Sequence, residues 1–360
     1  MTKQQKVIEF NPNQPGLADA SIFGLPFTAE ESEIIIIPVP WEVTVSYGGG
    51  ASDGPETILN ASYQVDLFHQ EYPELWKLGI FILDAPSHWL GKSNSLKEKA
   101  QAIIKALEEG KDIADQAHAD LQQSLDEINT ACEDLNKEVK NLVLFWKSKG
   151  KKVALLGGDH STPLGYYEAL AESHSEFGIL HLDAHMDFRI AYEEFKYSHA
   201  SIMYNALQLP QVSKIVQVGI RDFCEQEIEV AKKADSRVKV FTDSDLKAGV
   251  FSGKTWKEQC DKIIAALPQK VSISFDIDGL YQWYCPNTGT PVPGGLSYEQ
   301  ATYLLSALAN SEKEIIGFDL VEVSPGTDDW DGNVGARLLF HLCGAFAKSQ
   351  KLEVGERINF

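Results

Sequence analysis

Short, nearly continuous apolar runs punctuate the chain, with stretches of helical periodicity between them. The runs are IIIIPV (Ile34–Val39), GIFIL (Gly79–Leu83), VALL (Val153–Leu156), GILHL (Gly178–Leu182), IVQVG (Ile215–Gly219), VKVF (Val238–Phe241), VSISF (Val271–Phe275) and IIGFDLV (Ile315–Val321). A strand with one wet face alternates apolar and polar residues. Most of these runs do not, so both faces should be buried. Strands interleaved with helices build βαβ units and hence parallel pairing. The pattern predicts an α/β chain with three layers, α/β/α, around a mainly parallel sheet of roughly eight strands. In open sheets of this kind, sites lie beyond the carboxyl ends of the strands.

One segment breaks the rhythm. From Leu96 to about Gly150 the chain is polar and helical, with no glycine or proline between Lys111 and Lys149. Leu121, Leu125, Ile128, Cys132, Leu135, Val139 and Leu142 step by four and three, an apolar stripe along one helix face. It reads as a long helix or helical hairpin packed on its own domain, with an oligomer contact as the alternative. Residues 1–33, including NPNQPGLADASIFGLPF, read as an irregular arm over the surface. Residues 34–360 read as a single domain carrying the helical segment at about 96–150.

Composition narrows the class. A hydrophobic share of 44% allows a full core, and no apolar run reaches membrane-spanning length. A formal charge of -20 argues against nucleic acid or an anionic membrane as partner and suits a small cationic ligand. Five scattered cysteines without CxxC spacing point to free thiols in a reducing cytosol. The start, MTKQQKVIEFNPNQ, has no apolar leader region, so a cytoplasmic protein is expected.

Three clusters carry chemistry, each at the end of an expected strand. LLGGDHS brings Asp159 and His160, HLDAHMD brings Asp183, His185 and Asp187, and SFDIDG brings Asp276 and Asp278. Alternate strand residues share a face, so the carboxylates of each cluster should stand side by side. Unpaired carboxylates packed together are costly, so something positive is expected among them. GGDHS alone could be a phosphate-cradling turn, but it lacks the GxxxxGK[ST] pattern. DIDG alone could be a solvated turn. Together the clusters give His160, Asp183, His185, Asp187, Asp276 and Asp278. Mixed oxygen and nitrogen donors suit a divalent ion such as Mn²⁺ or Ni²⁺. Six donors suit two ions with shared carboxylates. His181, between Leu180 and Leu182, reads as a satisfied core histidine.

GGDHS, DAHMD and SFDIDG, in that order, resemble the ureohydrolase family of arginases, agmatinases and their relatives. GGGASDGPETIL, NTGTPVPGGLS and GFDLVEVSP resemble further signatures of that family, so the likeness runs from about Ile34 to Arg337. The resemblance implies an arginase-like fold and a binuclear site. His160 and Asp187 would bind one ion, His185 and Asp278 the other, and Asp183 and Asp276 would bridge them. It implies an activated water that attacks the guanidinium carbon and releases urea. Glu322 would hold the guanidinium, and His199, in YSHAS, would shuttle a proton to the leaving nitrogen. The family usually has glycine after that histidine; here it is Ala200. Trimers or hexamers are implied; availability or a metal-loading accessory protein would decide which ion is bound.

The departures bear on substrate. GLYQWYCPNTGTP crowds Tyr281, Trp283, Tyr284 and Cys285 between Asp278 and Thr290. The polar pattern by which arginases hold an amino acid is not evident in FRIAYEEFKYS, which demotes arginine. Arg189 could meet an acidic substrate, as in formimidoylglutamate hydrolases, but those lack a histidine at the SHAS position. A small pocket closed by Trp283, with Thr44 near its rim and Thr290 in its wall, would suit free guanidinium. PWEVTVSYGGG and the arm also resemble a guanidine-hydrolysing relative. The expectation is therefore free guanidine, with an agmatinase-like or guanidino-acid activity as the alternative. A metal-dependent deacetylase and a non-catalytic scaffold are the remaining, more distant readings.

Overall fold

The apolar runs all become strands in the computed structural model, which describes residues 1–14, 16 and 20–359. They are β1 (Ile34–Val39), β2 (Ile80–Ile82), β3 (Lys152–Gly157), β4 (Phe177–Leu182), β5 (Val212–Ile220), β6 (Val238–Thr242), β7 (Lys270–Asp276) and β8 (Glu314–Val321). The sheet order is β2-β1-β3-β8-β7-β4-β5-β6, and every pairing is parallel.

Eleven helices are described: α1 (Lys3–Glu9), α2 (Gly54–Ser62), α3 (Ser87–Glu108), α4 (Ala119–Ser148), α5 (Leu164–Ser173), α6 (Ile202–Leu207), α7 (Glu225–Lys233), α8 (Asp243–Phe251), α9 (Trp256–Ala266), α10 (Tyr298–Ala309) and α11 (Trp330–Ser349). They cover both faces of the sheet. Ile34 and Ile36 enter one core with α2, α10 and α11, whereas Ile35 and Ile37 enter the other with α3, α4 and α5. That is why β1 reads as an unbroken apolar run. Each such isoleucine contributes roughly 1.5–3 kcal/mol by burial.

The stripe on α4 is covered within the same chain. Leu125, Ile128, Cys132, Leu135 and Val139 are buried in the second core. A Cβ on Gly165 of α5 would come within 2.1 Å of the Asn136 carbonyl, so the α4–α5 crossing needs glycine there. The N-terminal arm differs from expectation. It begins with α1, and its far end enters the core through Ile22, Phe23, Leu25 and Phe27. The rings of Phe23 and Phe340 lie 5.0 Å apart. Residues 15 and 17–19 of the arm lie outside the described residues. All five cysteines are free. No described helix is long and apolar enough to cross a membrane.

Candidate metal centre and cavity

Strands β3, β8, β7 and β4 are neighbours in the sheet, so their carboxyl ends open onto one place. The chain leaves β3 through Gly157 and Gly158. A Cβ on Gly158 would lie 2.0 Å from the Trp41 carbonyl, so no side chain fits where the turn delivers Asp159 and His160. Asp183 follows β4 directly, and Asp276 closes β7.

The clusters converge by a different geometry from strand alternation. β4 ends at Leu182, and Asp187 has a left-handed backbone with φ 56°. The loop after β4 folds back; Asp183 Oδ1 accepts from the His185 amide at 2.6 Å. Asp278 lies in a single 3₁₀ turn, and its amide donates to Asp276 Oδ1 at 2.9 Å. Glu322, just past β8, also has a positive φ of 65°. Left-handed backbone in non-glycine residues costs energy and gathers at functional sites.

His160 stands at the centre. Its Nδ1 is 3.1 Å from Asp183 Oδ2, 3.0 Å from Asp187 Oδ2 and 3.2 Å from Asp276 Oδ2. It makes a well-directed hydrogen bond to none of them. Its Nε2 lies 2.9 Å from Ser274 Oγ, whose hydroxyl donates to Asp319 Oδ1 at 2.8 Å. Ser274 therefore accepts from Nε2–H, which leaves the Nδ1 lone pair facing three carboxylates. Without a cation there, a proton must take its place. Burial opposes charge on His160, but Asp183, Asp187 and Asp276 overcome it and hold its pKa well above the ordinary range. Burial likewise opposes charge on His185, and Asp278 and Asp183 push its pKa up to about 12. Burial, Asp278 and Asp183 push Asp276 well up, and burial and Asp183 push Asp187 to about 6.

Two donor groups emerge, and Asp183 belongs to both. One contains His160, His181, Asp183 and Asp187; the other contains Asp183, His185 and Asp278. His181 is already committed: Gln217 Nε2 donates to its Nδ1 at 3.0 Å, and its Nε2 donates to Asp183 Oδ2 at 2.7 Å. It orients a carboxylate, as the core reading anticipates. The carboxylate excess, the orphaned Nδ1 and the shared Asp183 fit a pair of divalent cations.

Beside the cluster opens a cavity of about 520 Å³. His185 and Asp187 line its inner end, with His199, Thr290, Arg189, Tyr192, Asp222, Phe223, Glu227, Ser46 and Tyr47 around it. Burial, His185 and His160 lower the His199 pKa to about 4, so this imidazole is neutral at pH 7. Glu322 accepts from the His160 amide through Oε1 at 2.7 Å. Its own amide donates to the Gly158 carbonyl at 2.9 Å. Arg189 Nε lies 3.5 Å from Glu227 Oε2, the ion-pair role that its acidic neighbours suggest.

Of the four expected pocket residues, only Thr290 lines this cavity. Trp283 is 63% exposed, stacks on Tyr281 at 4.4 Å and does not line the cavity. Thr44 and Glu322 are both buried and neither is among the residues that line the cavity. Sequence reasoning missed Asp222 and Glu227, although GIRDFCEQE follows β5 and the strand-end rule applies there too. It also missed Ser274, which opens the SFDIDG motif but carries no charge.

The arginase family model matches residues 32–344. The chain belongs to the arginase family. Among family relatives, the N(1)-aminopropylagmatine ureohydrolase of Thermus thermophilus is 32% identical over 319 residues, 88% of this chain and 90% of that one. The agmatinase of Neisseria gonorrhoeae is 30% identical over 303 residues, 82% of this chain and 81% of that one. The solved agmatine ureohydrolase of Thermoplasma volcanium superposes with a TM-score of 0.68 at 23% identity, over 97% of this chain and 99% of that one. The arginase-family fold is thus the three-layer parallel sheet described above.

Proposed function

We propose that this arginase-family chain is a metal-dependent ureohydrolase whose substrate is an extended guanidino-alkylamine of the agmatine type. The carrying observation is the cavity. At about 520 Å³ it lies within the roughly 300–1,000 Å³ of ordinary small-molecule sites, far more than a bare guanidinium ion fills. The crowding argument for free guanidine rested on Tyr281, Trp283, Tyr284 and Cys285, with Trp283 closing the pocket; none of the four lines the cavity, and Trp283 is exposed. Asp222 and the rings of Tyr47 and Phe223 suit a cationic alkyl tail, Glu227 and Tyr192 being engaged by Arg189. Similarity to an aminopropylagmatine ureohydrolase and an agmatinase supports the same reading.

His160 and Asp187 would hold one ion, His185 and Asp278 the other, with Asp183 and Asp276 between them. When bound, such a pair supplies Lewis acidity and makes water acidic enough to ionise near neutral pH. With Oε1 engaged by the His160 amide, Glu322 offers Oε2 to a guanidinium N–H as a charge-assisted acceptor. Neutral His199, on the cavity wall, is free to take up a proton and return it to the leaving nitrogen.

The test is urea release by protein loaded separately with Mn²⁺ and Ni²⁺. Substrates are guanidine, agmatine, aminopropylagmatine, guanidinobutyrate and arginine. The expected result is the highest kcat/KM for a guanidino-alkylamine. Turnover confined to free guanidine would refute the extended-substrate reading, and release of no urea from any of them would refute the activity.

A further inference from the structure

A second polar cavity lies at the opposite end of the sheet. It has a volume of about 230 Å³ and is lined by Lys147, Lys151, Lys152, His174, Glu314 and Gln350, among others. β3 begins at Lys152 and β8 at Glu314, and α4, α5 and α11 all end nearby. The metal centre is at the carboxyl ends of these strands, so this cavity is a separate place.

Its charge is unusual for a chain of net charge -20. Three lysines line it, Lys270 stands beside it, and Glu314 is the one acid in the lining. Lysines near helix ends commonly serve carbonyls. Lys151 does bind carbonyls, those of Glu30 and Ser32 at 2.6 and 2.7 Å. Lys152 donates to Gln350 Oε1 at 2.5 Å. Half-buried Lys147 has no hydrogen bond or ion pair among the described residues. Burial, Lys152 and Lys270 push its pKa down.

His174 makes a second, independent demand. Its Nδ1 lies 3.2 Å from Lys270 Nζ. An ammonium can only donate, so Nδ1 accepts and the proton sits on Nε2. That Nε2 is buried and has no hydrogen-bond partner. Burial, Lys147 and Lys270 lower the imidazole pKa to about 4, so a second proton does not relieve it. A buried N–H donor without an acceptor is costly, and so is an unpaired ammonium beside other ammoniums. One oxygen-bearing anion would answer both.

We infer that the cavity between Lys147, Lys152 and His174 binds a small oxyanion, with the charge and size of inorganic phosphate or a short dicarboxylate. Phosphate would be gripped by point charges, as ammonium groups do, and by the Nε2–H of His174. This inference does not rest on the substrate assignment.

The experiment is isothermal titration of the metal-loaded protein with sodium phosphate, and separately with succinate, at fixed ionic strength. The expected result is one saturable site whose affinity falls at least tenfold in Lys147→Met and in His174→Gln. Urea turnover in phosphate-free buffer should be unchanged in both. Tighter phosphate or tighter succinate identifies the kind of oxyanion, and either supports the site. Absence of saturable binding overturns it. So does binding of equal strength in both variants, as would occur at the metal centre. Should a variant fail to fold, wild-type crystals grown with phosphate decide: density on Lys147 and His174 supports the site, and density only elsewhere overturns it.

Discussion

Replacing Lys97 by methionine should loosen a wall of the candidate active site from a distance. Lys97 lies on α3, and its Nζ is 2.6 Å from Glu42 Oε1. The Glu42 side chain is 1% exposed and that of Lys97 30%. The same carboxylate accepts from the amides of Gly50, at 3.0 and 3.2 Å, and Ser52, at 3.1 Å. It therefore ties the glycine-rich loop to α3, and Ser46 and Tyr47 of that loop line the cavity. Deleting one partner of a buried pair typically costs ~3–5 kcal/mol. Here the remaining amide donors and the partial exposure of Lys97 reduce this to about 2 kcal/mol. At roughly 2 °C per kcal/mol for a large domain, the melting temperature should fall by about 4 °C. KM should rise more than kcat falls, because the wall is displaced and the metal cluster is not. Glu42→Gln combined with Lys97→Met buries no charge and should melt above Lys97→Met alone. Calorimetric melting and urea kinetics check this. An unchanged melting temperature and KM in Lys97→Met would refute the reasoning, as would a double variant weaker than either single one.

Glu322→Gln should cut kcat/KM by roughly 10²–10³-fold, as loss of a charged contact to the reacting group commonly does; metal content should stay constant by elemental analysis. Trp283→Ala should leave the substrate profile within about twofold of wild type, because the indole is outside the cavity; new turnover of longer substrates would restore the crowding argument. His341 is buried, and burial together with His69 lowers its pKa to about 3. The unfolded chain protonates this residue near 6.5 and the folded chain does not, so acidification favours unfolding between about pH 6.5 and 3. At pH 5 this amounts to about 2 kcal/mol, and His341→Gln should lose less melting temperature than wild type between pH 7 and 5. Identical slopes would count against it.

Much of this was legible in the chain. Strands buried on both faces leave continuous apolar runs, and seven of the eight runs feed both cores; β7 gives Val271, Ile273 and Phe275 to one core and turns buried Ser272 and Ser274 to the other face. The three acidic and histidine clusters were legible for the same reason, as each interrupts such a run where the strand ends. Their geometry was not. The folded-back loops at Asp187 and Asp278 and the left-handed backbone at Glu322 arise from tertiary contacts that spacing does not encode. Trp283 misled because aromatic residues between two site motifs can turn outward as easily as inward. Asp222 and Glu227 follow a strand as the others do, but no histidine stands beside them in the sequence to mark a donor cluster. Ser274, which sets the tautomer of His160, is one of two serines that alternate with Val271, Ile273 and Phe275 in β7; the alternation is in the sequence, but not that one buried hydroxyl meets His160.

The central claim is that three strand ends build one site for two cations that share Asp183. Stepwise addition of Mn²⁺ to metal-free protein, with bound metal and urea release from agmatine read at each step, tests it most directly. Activity should rise to a plateau at about two ions per chain, and Asp183→Ala should hold neither ion tightly nor turn over. Full turnover at one ion per chain, or a fully active Asp183→Ala protein, would contradict it.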